Sequence, residues 1–598
     1  MNLHIVDVSI IVVYLIAMVI AGSYMNRRAS KDLDAYFLGG KTIPWYYLSL
    51  SNAGGMFDVS GTMWLVYIMF VYGMKSVFIP WIWPLFNQIF MMVYLAIWLR
   101  RSNVLTGAEW ITTRFDQDTT GGKLAHSVIV IFSIVSVIGF LSYGFVGVGK
   151  FAKIFLPWDW HPHVYAIIIT LLTGIYVVNG GMFGVVVTDV MQYVLMTVAS
   201  VIIAIIAMNQ VTPEMIAAVT PKGWDNILFG WKLDLDWSGI LDSVNDRIAS
   251  DGYQLFTIFI MMALFKGLFV SMAGPVATQS LQRILASRNA KEAAIMNGFA
   301  ALVVSVPRYL MVGGLTVLAL VFFRPQLIAM GADIDFELIL PLAIQNFVPV
   351  GLMGIMLAGM FSAHMSTTSS FLNLGPAYFV NDIYKKYFRP NASDKTLVRA
   401  SYIVSAVVTV ASILFGLMIE SVDSATQWIV SALWAGSAAS NVLKWHWWRF
   451  NGYGYFYGML AGLLIALIMP VAFPDINGLY AYPYILLISG LGSVAGALLT
   501  KPENEKLLIK FYSSVRPWGF WEPIKNKVKE IDPSFEENKN FGRDMLNVAV
   551  GTVWQVAIMA APLALVIKNW DTLFWMILII IATTVALKKN WYDKLELN

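Results

Sequence analysis

Asn52-Ala53-Gly54-Gly55-Met56-Phe57-Asp58-Val59-Ser60-Gly61 sits in the middle of an otherwise apolar stretch, 46–73. About 20 apolar residues cross a bilayer core as an α-helix, so 46–73 reads as a span that is interrupted at its centre. Glycines there let a helix unwind and turn backbone carbonyls toward an ion or solute, as midplane sites in membranes are built. A lone glycine in a span more often serves close helix packing. A second interrupted span, 253–281 with Ser271, Gly274 and Pro275, shifts the balance toward a site.

Apolar segments of spanning length recur at 5–25, 46–73, 77–99, 126–156, 163–179, 184–208, 253–281, 292–323, 346–380, 398–419, 424–446, 454–473, 480–499, 546–567 and 570–588. The last two are separated only by Asn569-Trp570-Asp571. The first lacks a basic n-region and is too long for a signal-peptide core, so it reads as a retained helix. Of the 598 residues 58% are hydrophobic and 13% charged, with a mean hydropathy of +0.68. Soluble chains carry charge on roughly a quarter of their residues, and burial in hydrocarbon explains the shortfall.

Charge tests the span count independently. With the N-terminus outside, the alternate loops hold Arg27/Arg28/Lys31/Lys41, Arg100/Arg101/Arg114/Lys123, Arg283/Arg288/Lys291, Lys385/Lys386/Arg389/Lys395/Arg399, Lys444/Arg449, the 500–545 loop and Lys588/Lys589/Lys594. About thirty of the basic residues thus fall on one side, as the positive-inside rule requires of the cytoplasm. The opposite loop, 209–252, is acidic, with Asp225, Asp234, Asp236, Asp242, Asp246 and Asp251. The expected topology is multi-pass in the inner (plasma) membrane, N-terminus outside and C-terminus cytoplasmic.

Several function classes drop out. There is no cysteine, hence no thiolate metal site or cysteine nucleophile. The six histidines show no HExxH-like spacing, so an enzyme is not expected. The basic residues form no continuous stripe, so no nucleic-acid partner is expected. The lipid bilayer and a small-molecule substrate are, and no obligate protein partner is evident.

Ionisable residues inside spans are functional candidates: Asp58, Asp189, Lys266 and Arg308. For each, a buried ion pair or a snorkelling side chain is the plain alternative, snorkelling above all for Lys266 near its helix end. Asp58, beside the glycines, offers negative potential to a hard cation. The run Ser362-Ala363-His364-Met365-Ser366-Thr367-Thr368-Ser369-Ser370 offers oxygen ligands to such a cation, although hydroxyls in a span more often bond back to their own helix.

On Asp34-Ala35-Tyr36-Phe37-Leu38-Gly39-Gly40, Gly180-Gly181-Met182, Thr188-Asp189-Val190-Met191-Gln192, Gln282-Arg283-Ile284-Leu285-Ala286, Ser366-Thr367 and Asn381-Asp382-Ile383-Tyr384-Lys385, in that order, the chain from about residue 5 to 500 resembles the sodium/solute symporter family. The resemblance implies an all-α polytopic fold, an inverted repeat of two five-helix units like the bacterial leucine transporter. One helix precedes the core and about four follow it. The chain then divides into an N-terminal helix and first cytoplasmic loop (1–45), the first repeat (46–208), an extracellular loop (209–252), the second repeat (253–449), two peripheral helices (450–500), a cytoplasmic loop (501–545) and a helical hairpin with a tail (546–598).

The resemblance also implies Na⁺ as coupling ion, held by backbone carbonyls of Met56, Val59 and Ala363 and the hydroxyls of Ser366 and Thr367. Asp58 matches an acidic residue that supports sodium binding in the proline-transporting branch, and Asp189 an aspartate on the sodium exit path. Gln427 matches a substrate contact of sugar-transporting members. The other candidate substrate contacts, from residue chemistry and depth, are Asn52, Trp81, Asn87, Gln88, Tyr143, Arg308 and Trp428. Trp81 stands where sugar members place a glutamate, the tyrosine-gate position falls near Ala273, and a lysine of sugar members is missing, with Arg308 nearby. These departures count against a glucose- or galactose-type pocket. The expected function is sodium-coupled import of a small polar solute, a sugar or sugar acid first. An amino acid or other organic anion is the alternative, and a sensor or channel on the same fold a third reading.

Overall fold

The computed structural model describes residues 3–29, 37–83, 87–156, 158–177, 181–274, 279–331, 334–419, 434–473, 476 and 478–595. Among them there is no β-strand, only an isolated bridge between Trp447 and Phe520. Helix α1 is Ile5–Ala29, α2 Trp45–Met56, α3 Val59–Tyr72, α4 Thr120–Phe155, α5 Pro162–Val177, α6 Gly181–Gln210, α7 Phe256–Ala273, α8 Gln279–Ala286 and α9 Ala290–Met330. They are followed by α10 Leu352–Phe379, α11 Asp394–Gly416, α12 Gly436–His446, α13 Gly452–Ala472, α14 Gly478–Leu498, α15 Glu505–Val515, α16 Glu522–Ile531, α17 Phe541–Val566 and α18 Trp570–Asn590. Nine helices among the described residues are long and apolar enough to cross a membrane, or ten if the pair 45–56 and 59–77 is one bent span. The chain is therefore a multi-pass membrane protein.

Among the described residues helix occurs at each expected span, but not always in the expected form; Pro275 of the second expected interruption and the 424–433 part of the 424–446 span lie outside the described residues. The interruption at Asp58 is a 64° bend. The 77–99 stretch is not one helix. It begins with 3₁₀ turns at Gly73–Val77 and Ile79–Ile82, and a helix with an internal π turn at Met91–Leu95 runs over 87–101. Pro80, with no amide hydrogen, and the reversal at Gly73 account for the delayed start. Gly73 has φ 59°, and a Cβ there would lie 1.9 Å from the Trp224 carbonyl oxygen, so only glycine fits. Helix α9 runs to Met330, past the end of its apolar stretch, and at 1.5 Å per residue its 41 residues reach about twice the hydrocarbon thickness. The chain does turn between the last two spans, but at 567–569, one step before the expected separator, whose Trp570 and Asp571 already begin α18. Lys568 takes φ 59° and the Asn569 side chain caps α18 by accepting from the Thr572 amide at 3.1 Å.

The two long loops carry structure of their own. The 209–252 loop holds short helices at Pro213–Ala217 and Ser243–Asp251. It is pinned across the end of α3 by Trp224 and Trp237, whose indole N–H groups donate to the carbonyls of Phe70 (3.0 Å) and Val71 (3.2 Å). The 501–545 loop contains α15 and α16. A further short helix, Ile339–Phe347, precedes α10.

The site is framed by contacts of α2 with α6, α9 and α10, and of α3 with α9 and α4. Helix α1 braces α6 and α10 from outside and supplies a cap in trans. The buried Asp7 carboxylate accepts from the amides of Gly351 (2.7 Å) and Gly354 (2.8 Å) at the start of α10. Asp7→Ala orphans both donors and is expected to cost about 2 kcal/mol. The check is a lower unfolding midpoint of the detergent-purified protein; no shift would mean that water replaces the cap.

Candidate functional site

The break between α2 and α3 begins where α2 ends on Met56 and Phe57 leaves helical geometry at ψ 59°. Asp58 then runs extended (φ −86°, ψ 157°) and caps α3, its Oδ2 accepting from the Gly61 amide at 2.8 Å. Its other oxygen meets a partner from the middle of α9: Arg308 Nη2 lies 3.1 Å from Asp58 Oδ1. The guanidinium stacks near Phe57 (5.9 Å to the ring centre), and its Nε is buried without a hydrogen bond among the described residues. Gly61 makes room for the pair. A Cβ there would stand 2.6 Å from both Arg308 Nη2 and Asp58 Oδ1 and 3.1 Å from the Tyr143 hydroxyl. Asp58, Arg308 and Tyr143 thus converge on one point beside the break.

A second polar cluster joins α2, α6, α8 and α10. Asp189 is fully buried and paired with Arg283 at 2.7 Å, itself 1% exposed. Ser51 donates to one carboxylate oxygen of Asp189 and Ser366 to the other. Arg283 also donates to Ser51 Oγ (2.8 Å) and Ser370 Oγ (3.3 Å). Two charges in a helical bundle are tolerable only when so compensated, because each loses several kcal/mol of hydration on burial.

Between the clusters lies the face where carbonyls of the break meet the hydroxyl run of α10. Thr367 Oγ1 donates to the Gly55 carbonyl at 3.1 Å. Gln88 Nε2 donates to Met56 Sδ at 2.7 Å. Val59 and Ala363 are buried. Asn52 accepts from Ser280 at 2.9 Å, while its Nδ2 and the Asn87 Oδ1 are buried without partners among the described residues. Trp81 lies edge-on to Phe78 at 5.2 Å, and Tyr143 edge-on to Trp83 at 6.2 Å. Gln427 and Trp428 lie outside the described residues. No group of three or more His, Asp or Glu side chains that could hold a metal ion occurs among the described residues.

Two readings change. Lys266 does not snorkel: it is buried, 5.8 Å from the Tyr482 ring centre. Arg283, counted among loop cations, lies inside the bundle. The signal for it was present in the sequence, since Asp189 needs a buried cation and few basic residues lie near the ends of apolar stretches.

A broken span packed against a hydroxyl-rich helix is the arrangement of a secondary transporter. The chain belongs to the sodium:solute symporter family, which matches residues 36–462. It is 24% identical over 595 residues to sodium/glucose cotransporter 4 of Danio rerio, covering 89% of this chain and 84% of that one. To the sodium/myo-inositol cotransporter of Bos taurus it is 24% identical over 585 residues (88% and 76%), and to the sodium/glucose cotransporter of Vibrio parahaemolyticus 22% over 525 residues (83% and 92%). A solved substrate-bound, outward-open Na⁺-coupled sialic acid symporter superposes with TM-score 0.61 at 20% identity, covering 84% of this chain and 99% of that one. The likeness shows the shared, leucine-transporter-like fold.

Proposed function

We propose that this protein imports a small polar solute, a sugar or sugar acid, by sodium-coupled symport with alternating access. Sodium coupling rests on family membership, and the class of solute on the sugar and inositol cotransporters among its relatives. The single observation that supports the ion site is the Thr367–Gly55 contact, which brings the α10 hydroxyls against the carbonyls of the break. Na⁺ would take carbonyls of Met56, Val59 and Ala363 with the hydroxyls of Ser366 and Thr367, oxygen donors suited to a hard cation.

In this reading Na⁺ binding orders the break and raises affinity for the solute, and reciprocity makes the solute raise affinity for Na⁺. The membrane potential adds about 2.3 kcal/mol per charge per 100 mV. Ser366 already faces Asp189, so Na⁺ leaving the hydroxyl pair meets that carboxylate next, which supports Asp189 as a station on the exit path. The repeats are proposed to be 46–208 and 253–449, with the N-terminus outside and the C-terminus in the cytoplasm of a plasma-membrane protein. Candidate solute contacts are Asn52, Asn87, Gln88 and Tyr143 near the break, Arg308 with its spare Nε, and Trp81, Gln427 and Trp428.

The test is uptake by proteoliposomes with and without a Na⁺ gradient, across sugars, sugar acids and amino acids. Ser366→Ala with Thr367→Ala removes two oxygen ligands and is expected to raise the half-saturating Na⁺ concentration about tenfold. Unchanged Na⁺ dependence in a well-folded double variant would sink the ion site, and Na⁺-independent uptake would sink the coupling.

A further inference from the structure

Outside the site, a polar cavity lies where the far end of the 87–101 helix, the 516–544 segment and the C-terminal tail meet. It encloses 320 Å³. Apart from the 93–101 face, its walls come from residues beyond the 36–462 family match, so the symport mechanism assigns it no role. The tail is not loose there: the Trp591 indole N–H donates to the Met92 carbonyl at 3.0 Å, seating 591–595 against the helix.

The lining is rich in cations. Arg101, Arg516, Lys539, Arg543 and Lys594 face it, against Glu536, Glu537 and Asp544. Two of the three acids are engaged. Glu537 is shared by Lys525 (2.9 Å), Lys529 (3.7 Å) and Lys539 (3.6 Å). Asp544 accepts from the Trp518 indole at 3.2 Å and faces Arg543 at 3.5 Å. Arg543 Nε is buried with no hydrogen bond among the described residues. Lys594 is exposed at the rim. Arg516, in the left-handed region at φ 55°, is steadied over Phe535 at 5.1 Å. A buried guanidinium N–H with no acceptor, in a pocket with a cationic surplus, calls for an anion.

We propose that this cavity binds a phosphate-bearing anion, either the headgroup of an anionic phospholipid or free phosphate. Its setting favours the lipid. The neighbouring α18 has only 6% of its spanning window buried in the protein, so the helix that leads to the tail faces the acyl chains. Basic pockets at the ends of spans are where anionic headgroups dock. A headgroup there clamps the 501–545 loop, the last hairpin and the 93–101 end of the 87–101 helix together, at the opposite end of that helix from Asn87 and Gln88.

The test uses the full chain in nanodiscs of phosphatidylcholine, with phosphatidylglycerol added or with millimolar inorganic phosphate added, reading the unfolding midpoint and the phosphatidylglycerol titration. Phosphatidylglycerol should stabilise the wild type saturably, and Arg543→Gln with Lys594→Gln should weaken that binding about thirtyfold, the loss of two basic contacts. Lys594→Gln alone, on an exposed side chain, keeps the test decisive if the double variant folds poorly, and is expected to weaken binding about fivefold. Stabilisation by phosphate that competes with phosphatidylglycerol supports the site with free phosphate as ligand; phosphatidylglycerol alone supports the lipid. No stabilisation by either, or equal stabilisation of wild type and Lys594→Gln, overturns the proposal.

Discussion

Arg283→Gln is expected to destabilise the protein by about 3–5 kcal/mol, enough to deplete folded material from the membrane. The charge left behind, Asp189, is fully buried and would keep only the hydroxyls of Ser51 and Ser366. Adding Asp189→Asn removes that charge and should recover most of the loss, since the penalty comes from the uncompensated ion more than from the missing pair. The measurement is a double-mutant cycle on unfolding midpoints. Arg283→Gln as stable as wild type would show that Asp189 is not a closed, desolvated charge in the resting protein, and no recovery in the double variant would place the loss in the bonds of Arg283 to Ser51 and Ser370. Asp189→Asn alone takes the compensating carboxylate from the buried Arg283 and should show a similar loss. Whatever folds should show slowed turnover with Na⁺ affinity little changed, if Asp189 is a station for leaving ions.

Arg308→Gln is expected to reduce kcat/KM for a carboxylate-bearing solute by roughly thirtyfold or more, the cost of truncating one partner of a hydrogen-bonded charge pair. Na⁺ binding should survive. The Asp58–Arg308 pair is only partly covered, its side chains 18% and 15% exposed, so it can open to admit a competing carboxylate, for which the guanidinium fork is well shaped. Arg308→Lys should therefore fail to rescue an anionic solute. Gly61→Ala provides a third variant. Its methyl would press against both partners of the pair, whose side-chain ends can yield, so it should separate them without removing either charge. Equal loss of neutral and anionic solutes in Arg308→Gln, with recovery on adding Asp58→Asn, would assign the pair a purely structural role.

The positions of the spans, the break at Asp58 and family membership were legible in the sequence because they are local. Hydropathy over about 20 residues decides what enters the bilayer, and glycines beside a carboxylate decide where a span can bend. The Asp58–Arg308 pair was nearly legible too, since so few charges lie within spans that each must find another. The third span was misjudged as continuous because apolar composition outweighed Pro80. What the tertiary structure decided is which polar groups meet. Asp189 and Arg283 are 94 residues apart and Asp58 and Arg308 250, and their contact depends on how α2, α6, α8, α9 and α10 pack. The same holds for Arg114 and Lys444. Both were counted as loop cations, yet Arg114 is buried against the carbonyls of Lys444, Trp447, Trp448 and Phe450, and Lys444 lies 4.9 Å from the Trp110 ring centre. Loop charge fixes orientation through an average over many residues. Whether a particular cation faces water or staples a bundle depends on the acceptors that other helices bring within about 3 Å of it.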